Sequence, residues 1–138
     1  MNVKKVNHKE YLKKFNQISN IIDPGLLFKV DPALDNKLTT YYICNKGAGA
    51  VTRISWNTIE LKGLIAYSGG GSSIVKHIIK EYNARYNIIL DSFISNHKFY
   101  SKHGFKVYKA AAYNPVYDPA GLNKNHEGVL YYKLAAAV

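Results

Sequence analysis

The sequence predicts a mixed α/β fold, a central sheet of about six strands with flanking helices. Three observations carry this expectation. Between Thr39 and Tyr67, three β-prone segments follow one another across turns too short for a crossover. The glycine-rich turn Ser68-Gly69-Gly70-Gly71-Ser72-Ser73 then opens an amphipathic stretch that leads to the apolar triplet Ile88-Ile89-Leu90, the order of a βαβ unit. Two further β-prone segments close the chain.

Residues 7–22 place Tyr11, Leu12, Phe15, Ile18 and Ile22 on one face at helical spacing. Asp23-Pro24-Gly25 ends that helix with turn chemistry. Leu26 to Val30 is a short apolar stretch, and Asp31-Pro32 is suited to open a helical turn reaching Leu38. Thr39 to Cys44, rich in Thr, Tyr and Ile, favours a strand. Asn45-Lys46-Gly47 turns the chain, Gly49 to Trp56 returns it, Asn57-Thr58 turns it again, and Ile59 to Tyr67 is the third strand of an antiparallel meander. After the glycine turn, Ile74, Val75, Ile78, Ile79 and Tyr82 form the apolar stripe of a helix. Asn87 to Phe93 reads as a strand parallel to that at 59–67, because such a crossover returns on the same sheet. Residues 96–103 make a short helix ended by Gly104. Phe105 to Tyr113 and Gly128 to Leu134 are the last strands, separated by a loop marked by Asn114-Pro115 and Asp118-Pro119-Ala120-Gly121. No repeat or internal boundary interrupts residues 1–138, so one domain is expected, with Ala135-Ala136-Ala137-Val138 as an appended tail of no structural role.

The 138 residues are 47% hydrophobic and 20% charged, a globular composition and not a disordered one. One cysteine, Cys44, excludes an intrachain disulfide framework, and no Cys/His spacing suggests a metal site. No apolar run approaches the ~20 residues that span a bilayer. Met1 to Lys14 is polar and basic without the apolar core of a secretory signal, so a soluble cytoplasmic protein is expected. Nineteen Lys and Arg against nine Asp and Glu give a net charge of +10. That field favours encounter with an anion: a nucleic acid, a phosphorylated cofactor or an acidic protein. The lysines are dispersed as Lys4, Lys5, Lys9, Lys13 and Lys14, then Lys98, Lys102, Lys106 and Lys109, so a solvated surface and a polyanion site are both open readings. Twelve tyrosines supply faces that can stack on bases, yet many stand in strand-like runs where Tyr is at home.

The glycine turn is the strongest candidate site. A turn that opens a helix leaves backbone N–H groups unpaired, and the helix dipole adds partial positive charge there. The glycines Gly69, Gly70 and Gly71 remove side chains that would hold a phosphate away, and Ser72 and Ser73 add hydroxyls. Residues 69–73 are therefore either a pyrophosphate cradle or a connector with a serine cap. The turn lacks the Gly-Lys-Ser/Thr of a nucleotide-hydrolysing loop. It also follows a meander and not a first strand, which argues against a dinucleotide site of the Rossmann kind.

The order of elements over residues 59–134 resembles the GNAT superfamily of acyl-CoA-dependent N-acyltransferases. That family carries Arg/Gln-x-x-Gly-x-Gly/Ala at the helix after its fourth strand, where this chain has Ser68-Gly69-Gly70-Gly71-Ser72-Ser73. It also carries a Tyr four residues before a Gly-Phe pair, matched by Tyr100 and Gly104-Phe105. The chain is most similar to small acetyltransferase-like proteins of bacteriophages, whose tails hold an Asn-x-x-Tyr-x-Pro-like loop, here Asn114-Pro115-Val116-Tyr117-Asp118-Pro119. Ser68 departs from the signature's Arg or Gln, and Ser73 from its last Gly or Ala. The Asn that starts the family's short helix falls on Phe93, leaving Asn96 as a displaced substitute.

The resemblance implies that the fourth and fifth strands splay and that acetyl-CoA, as co-substrate, lies in the gap. Ile65, Ala66 and Tyr67 would then offer backbone groups to the pantetheine, and Ser68, Gly69, Gly70, Gly71, Ser72 and Ser73 would hold the pyrophosphate. Tyr100 would protonate the leaving thiolate. Glu60 stands where some members hold a base, or is a solvated strand-end carboxylate. Asp91, in an otherwise apolar strand, is either paired or placed at the cleft. His97 and His103 read as helix-surface residues, His77 as solvent-facing and Cys44 as core. The implied activity is direct acetyl transfer to a primary amine. The competing expectations are a phage nucleic-acid modifier of the Mom type that alters a DNA base, and a non-catalytic inhibitor of an acidic host protein. A homodimer is left open.

Overall fold

The computed structural model describes residues 1–22, 31–119, 121, 123 and 125–137. The first helix, α1 (His8–Ser19), starts where the Asn7 side chain accepts the Glu10 N–H at 2.8 Å, and it buries Tyr11, Phe15 and Ile18. Ahead of it, β1 (Lys4–Val6) pairs antiparallel with β2 (Thr39–Cys44). Three residues with two lysines show no period, so the sequence does not announce β1. The edge of β2 and an ion pair from Lys5 to Glu81 at 2.9 Å hold it in place.

β2 leads to β3 (Gly47–Ser55) and β4 (Thr58–Ala66), the expected antiparallel meander. α2 (Gly70–Tyr82) carries the chain to β5 (Asn87–Phe93), which lies parallel to β4 as anticipated. A 3-10 turn at Ile94–Asn96 runs into α3 (His97–Lys102), and β6 (Lys106–Ala111) and β7 (Val129–Leu134) finish the sheet. Its order is β1-β2-β3-β4-β5-β7-β6, seven strands among the described residues where about six were expected. β4 and β5 form the parallel pair.

Strand alternation sorts the core into two layers. From β2, Tyr41 and Ile43 join α1's Tyr11, Phe15 and Ile18 on one face, while Tyr42 and Cys44 join α2's Ile74, Val75 and Ile78 on the other. Tyr42 is fully buried, and its hydroxyl donates to Glu81 and shares a hydrogen bond with Tyr82, so the C-terminal part of α2 is pinned to β2. Burial and the Glu81 hydrogen bond push the Tyr42 phenol far above the usual tyrosine range. Burial alone would raise Glu81, but hydrogen bonds from Tyr42 and Lys5 bring it below the usual carboxylate value.

Two expectations fail here. Asp31-Pro32 opens no helix: residues 31–36 are irregular and Lys37-Leu38 is a turn. The Asn36 side chain accepts the Leu38 N–H at 2.7 Å, and the Tyr41 hydroxyl donates to the Leu34 carbonyl at 2.8 Å, which diverts the groups a helix would use. The tail is not idle either. Ala137 N–H donates to the Asn83 carbonyl at 2.8 Å and Ala136 N–H to Asn87 Oδ1 at 2.9 Å, tying residues 135–137 to the end of α2 and the start of β5. The apolar stretch Leu26 to Val30 and the turn Asp23-Pro24-Gly25 lie outside the described residues. Among the described residues no helix is long and apolar enough to cross a membrane.

Candidate functional site

β4 and β5 pair at three positions, Thr58 with Asn87, Ile59 with Ile88 and Glu60 with Ile89, and then part. Beyond the last shared rung, β4 carries a bulge. Gly49 of β3 stands opposite both Gly63 and Leu64, between the pairs Ala50–Lys62 and Ala48–Ile65. Gly63 adopts φ +59, and a Cβ there would overlap the Tyr11 hydroxyl. That hydroxyl donates to the Gly63 carbonyl at 2.7 Å and accepts the Ala33 N–H at 2.9 Å, so α1 and the segment after it hold the bulge.

Two adjoining cavities flank the divergence. The first, of ≈ 460 Å³, is walled by Leu64 to Gly69 of β4 and its turn, by Gly71 and Ser72 of α2, by Ser95, Asn96, Phe99, Tyr100 and Lys102, and by Ile22. The second, of ≈ 560 Å³, is walled by Leu61 to Leu64, Leu90 to Phe93, Asp31, Asn96, Tyr100, Val129 and Tyr131. Leu64, Asn96 and Tyr100 belong to both.

Ser68 (φ 44) and Gly69 (φ 89) bend the chain into α2. Gly70 N–H donates to the Tyr67 carbonyl at 3.0 Å and Ser73 N–H to the Gly69 carbonyl at 3.2 Å. Gly71 and Ser72 N–H, between them, have no backbone acceptor among the described residues, and both residues line the first cavity. The three glycines thus divide their tasks. Gly71 faces the cavity, since a Cβ there would touch Ala66 Cβ and the Phe99 ring at 3.5 Å. Gly70 is buried, and a Cβ there would run into the Lys46 carbonyl, so this glycine lets α2 close on the β2–β3 turn. Gly70 and Ser73 do not line the cavity, and the Ser73 hydroxyl bonds the Gly69 carbonyl at 3.3 Å. Tyr67 N–H donates to the Lys46 carbonyl at 3.0 Å. Peptide groups alternate sides along a strand, which turns those of Ala66 toward the gap. At the rim the Ser72 hydroxyl lies 3.4 Å from His103 Nε2. Burial, then Lys102 and Lys76, hold the His103 pKa below the usual histidine value.

Tyr100 sits in the shared wall, 8% exposed, its ring against Phe99, Phe105 and Tyr132. α3 ends at Gly104 (φ +91), where Phe105 N–H bonds back to the Tyr100 carbonyl at 3.2 Å and the buried Phe105 plugs the core. Burial pushes the Tyr100 phenol up to about 12, a hydrogen bond with Ser92 opposes this, and Tyr132 and Asp91 add to it. Asn96 donates to the Ser92 hydroxyl at 2.8 Å, so Asn96, Ser92 and Tyr100 form one polar group at the junction. Glu60 stands on the last β4–β5 rung, half-buried, and lines neither cavity. Burial raises its pKa, Lys62 opposes and Asp91 adds to the rise. His77, expected in solvent, is half-buried against the Tyr42 ring at 5.4 Å and close to Glu81. Cys44 is core, as anticipated.

Leu64, Ser95, Phe99 and Lys102 line the first cavity although the sequence did not mark them as site residues. Phe99 and Lys102 follow Asn96 at steps of three on a short helix, a spacing that would have grouped them.

No protein-family model matches the sequence, and no curated protein does. Solved structures do match. The ribosomal-protein-S18-alanine N-acetyltransferase of Escherichia coli superposes with TM-score 0.73 at 12% identity, covering 99% of this chain and 94% of that one. An N-acetyltransferase of Staphylococcus aureus gives 0.68 at 11% identity over 99% and 98%. A GNAT family acetyltransferase of Elizabethkingia anophelis with acetyl-CoA bound gives 0.59 at 14% identity over 71% and 76%. None of these three is a bacteriophage protein. What they share with the seven-stranded, splayed sheet described above is architecture: this chain has the GNAT acyltransferase fold.

Proposed function

We propose that the protein is an N-acetyltransferase that moves acetyl from acetyl-CoA directly to a primary amine. The observation that carries this reading is the continuity of the ≈ 460 Å³ cavity from the free N–H groups of Gly71 and Ser72 to Tyr100. One end suits a diphosphate: unpaired N–H donors at the start of a thirteen-residue helix, with Lys102 and His103 beside them. The middle suits an amide-bearing arm, for the Ala66 peptide groups face a gap with no strand in it. The far end holds Tyr100, a phenol protonated at neutral pH. Acetyl-CoA would supply an activated acetyl group as its thioester. The amine nitrogen gains the C–N bond as the C–S bond breaks. Tyr100 gives its proton to the departing sulfur and is reprotonated as the nitrogen loses one. Gly70 and Ser73 serve this site by shaping the turn, while Gly69, Gly71 and Ser72 face the ligand.

Calorimetric titration with acetyl-CoA tests the reading. The unmodified protein should bind, and Gly71→Glu should not. A side chain there enters the cavity between Ala66 and Phe99 without meeting backbone, so the variant still folds, while its carboxylate repels phosphate. Absence of binding by the unmodified protein would overturn the reading. Retention of a host protein in its place would then favour the non-catalytic one, to which the Ser68 departure points.

A further inference from the structure

The second cavity reverses the sign of the molecule. The chain has nineteen basic residues and nine acidic ones, yet the cavity is lined by Asp31 and Asp91 with Lys62 as its one cation among the described residues. Among those residues neither Asp31 nor Asp91 forms an ion pair, so folding does not account for their placement. Asp91 is exposed and faces Tyr131 across the β5–β7 ladder, one residue before Ser92, the partner of Asn96. The same cavity reaches the junction through Leu64, Asn96 and Tyr100.

We propose that this cavity is the acceptor pocket and that it selects a small aliphatic amine bearing a second positive charge, with Asp91 and Asp31 as the specificity-determining residues. The inference rests on the acetyltransferase reading. In a field that repels cations at long range, a local pair of unpaired carboxylates supplies the attraction a dication needs. A reacting nitrogen has to be neutral when it attacks, so a carboxylate holds the second nitrogen with advantage throughout the reaction. A concave volume of ≈ 560 Å³ fits a small molecule. A phosphodiester would meet like charge at Asp91, which disfavours a nucleic-acid acceptor.

The test compares 1,4-diaminobutane with butylamine, which share a four-carbon chain and differ by the second, charged amino group. Binding is measured by calorimetry on ligand-free and CoA-loaded protein, and turnover with acetyl-CoA by release of the CoA thiol. The diamine should bind and turn over with a KM about tenfold lower than butylamine, and Asp91→Asn should erase that advantage. Acetyl-CoA affinity should be unchanged in Asp91→Asn. Glu10→Gln, the same charge change on exposed α1, should leave the advantage intact. Equal behaviour of the two amines, or an advantage that survives in both Asp91→Asn and Asp31→Asn, overturns the inference. Failure of acetyl-CoA itself to bind strikes instead at the acetyltransferase reading, and the amine titration of the ligand-free protein still decides the pocket's charge preference.

Discussion

Tyr11→Phe removes one oxygen from α1 and, through it, the fixation of the β4 bulge. The phenol is fully buried and makes two bonds, donating to the Gly63 carbonyl at 2.7 Å and accepting the Ala33 N–H at 2.9 Å. Phe keeps the ring and its packing against Tyr41 and Phe15. What is lost is two hydrogen bonds, each worth about 0.5–1.5 kcal/mol, with a further penalty of about 1–3 kcal/mol where a buried group stays unpaired. The Ala33 N–H is such a group, so a destabilisation of about 2–6 kcal/mol is expected. Urea unfolding should show a lower midpoint at unchanged slope. The loss should be smaller at high pH. Burial lifts the Tyr11 pKa from 10.0 to about 12, so the phenol's contribution is full below 10.0 and fades as pH rises toward 12, a fade the Phe variant lacks. Acetyl-CoA affinity should fall as well, because Leu64 of the bulge and Ile65 and Ala66 just after it wall the cavity proposed for the cofactor. A midpoint shift worth less than about 0.5 kcal/mol, the low end for a single hydrogen bond, would refute the role given to this hydroxyl.

Tyr100→Phe should leave acetyl-CoA affinity and KM nearly unchanged while turnover falls by ~10²–10⁴-fold, nearer the lower value because a thiolate is a tolerable leaving group. Full turnover in steady-state kinetics would move the proton donor elsewhere. His103 titrates below the free-histidine value of 6.5 in the fold, so stability should decline as pH falls below 6.5, and His103→Gln should flatten that decline in unfolding curves. A phosphate arriving beside His103 favours its charged form, so acetyl-CoA binding near pH 6 should take up a proton, read by calorimetry in buffers of different ionisation enthalpy.

Elements with their own periodicity were legible in the sequence. The stripe from Ile74 to Tyr82, the meander from Thr39 to Tyr67 and the triplet Ile88-Ile89-Leu90 announce themselves locally, and all three stand where expected. β1 was not legible, because three residues cannot show a period and its stability comes from β2 and Glu81, far away in sequence. The same holds for residues 135–137, whose partners Asn83 and Asn87 lie across the fold. At the site, the glycine turn and the Tyr100–Gly104–Phe105 spacing could be read, since each is a local backbone requirement. The division of labour between Gly70 and Gly71 could not, because it depends on which glycine meets the Lys46 carbonyl. The gathering of Asp31 with Asp91 is likewise a product of tertiary placement alone.

The three-position contact between β4 and β5 makes the sheet's central seam a short join. β2 to β4 on one side and β5 to β7 on the other are each laced by long antiparallel ladders, while the halves meet over Thr58 to Glu60 only within the sheet itself. A ligand lying in the gap and bonding the Ala66 peptide would act as the missing length of strand. Cofactor occupancy and mechanical cohesion would then be one equilibrium: a ligand at a hundred times its Kd adds about 2.7 kcal/mol to stability. Amide exchange along Leu61 to Ala66 should slow on binding, while β2 and β3 change little.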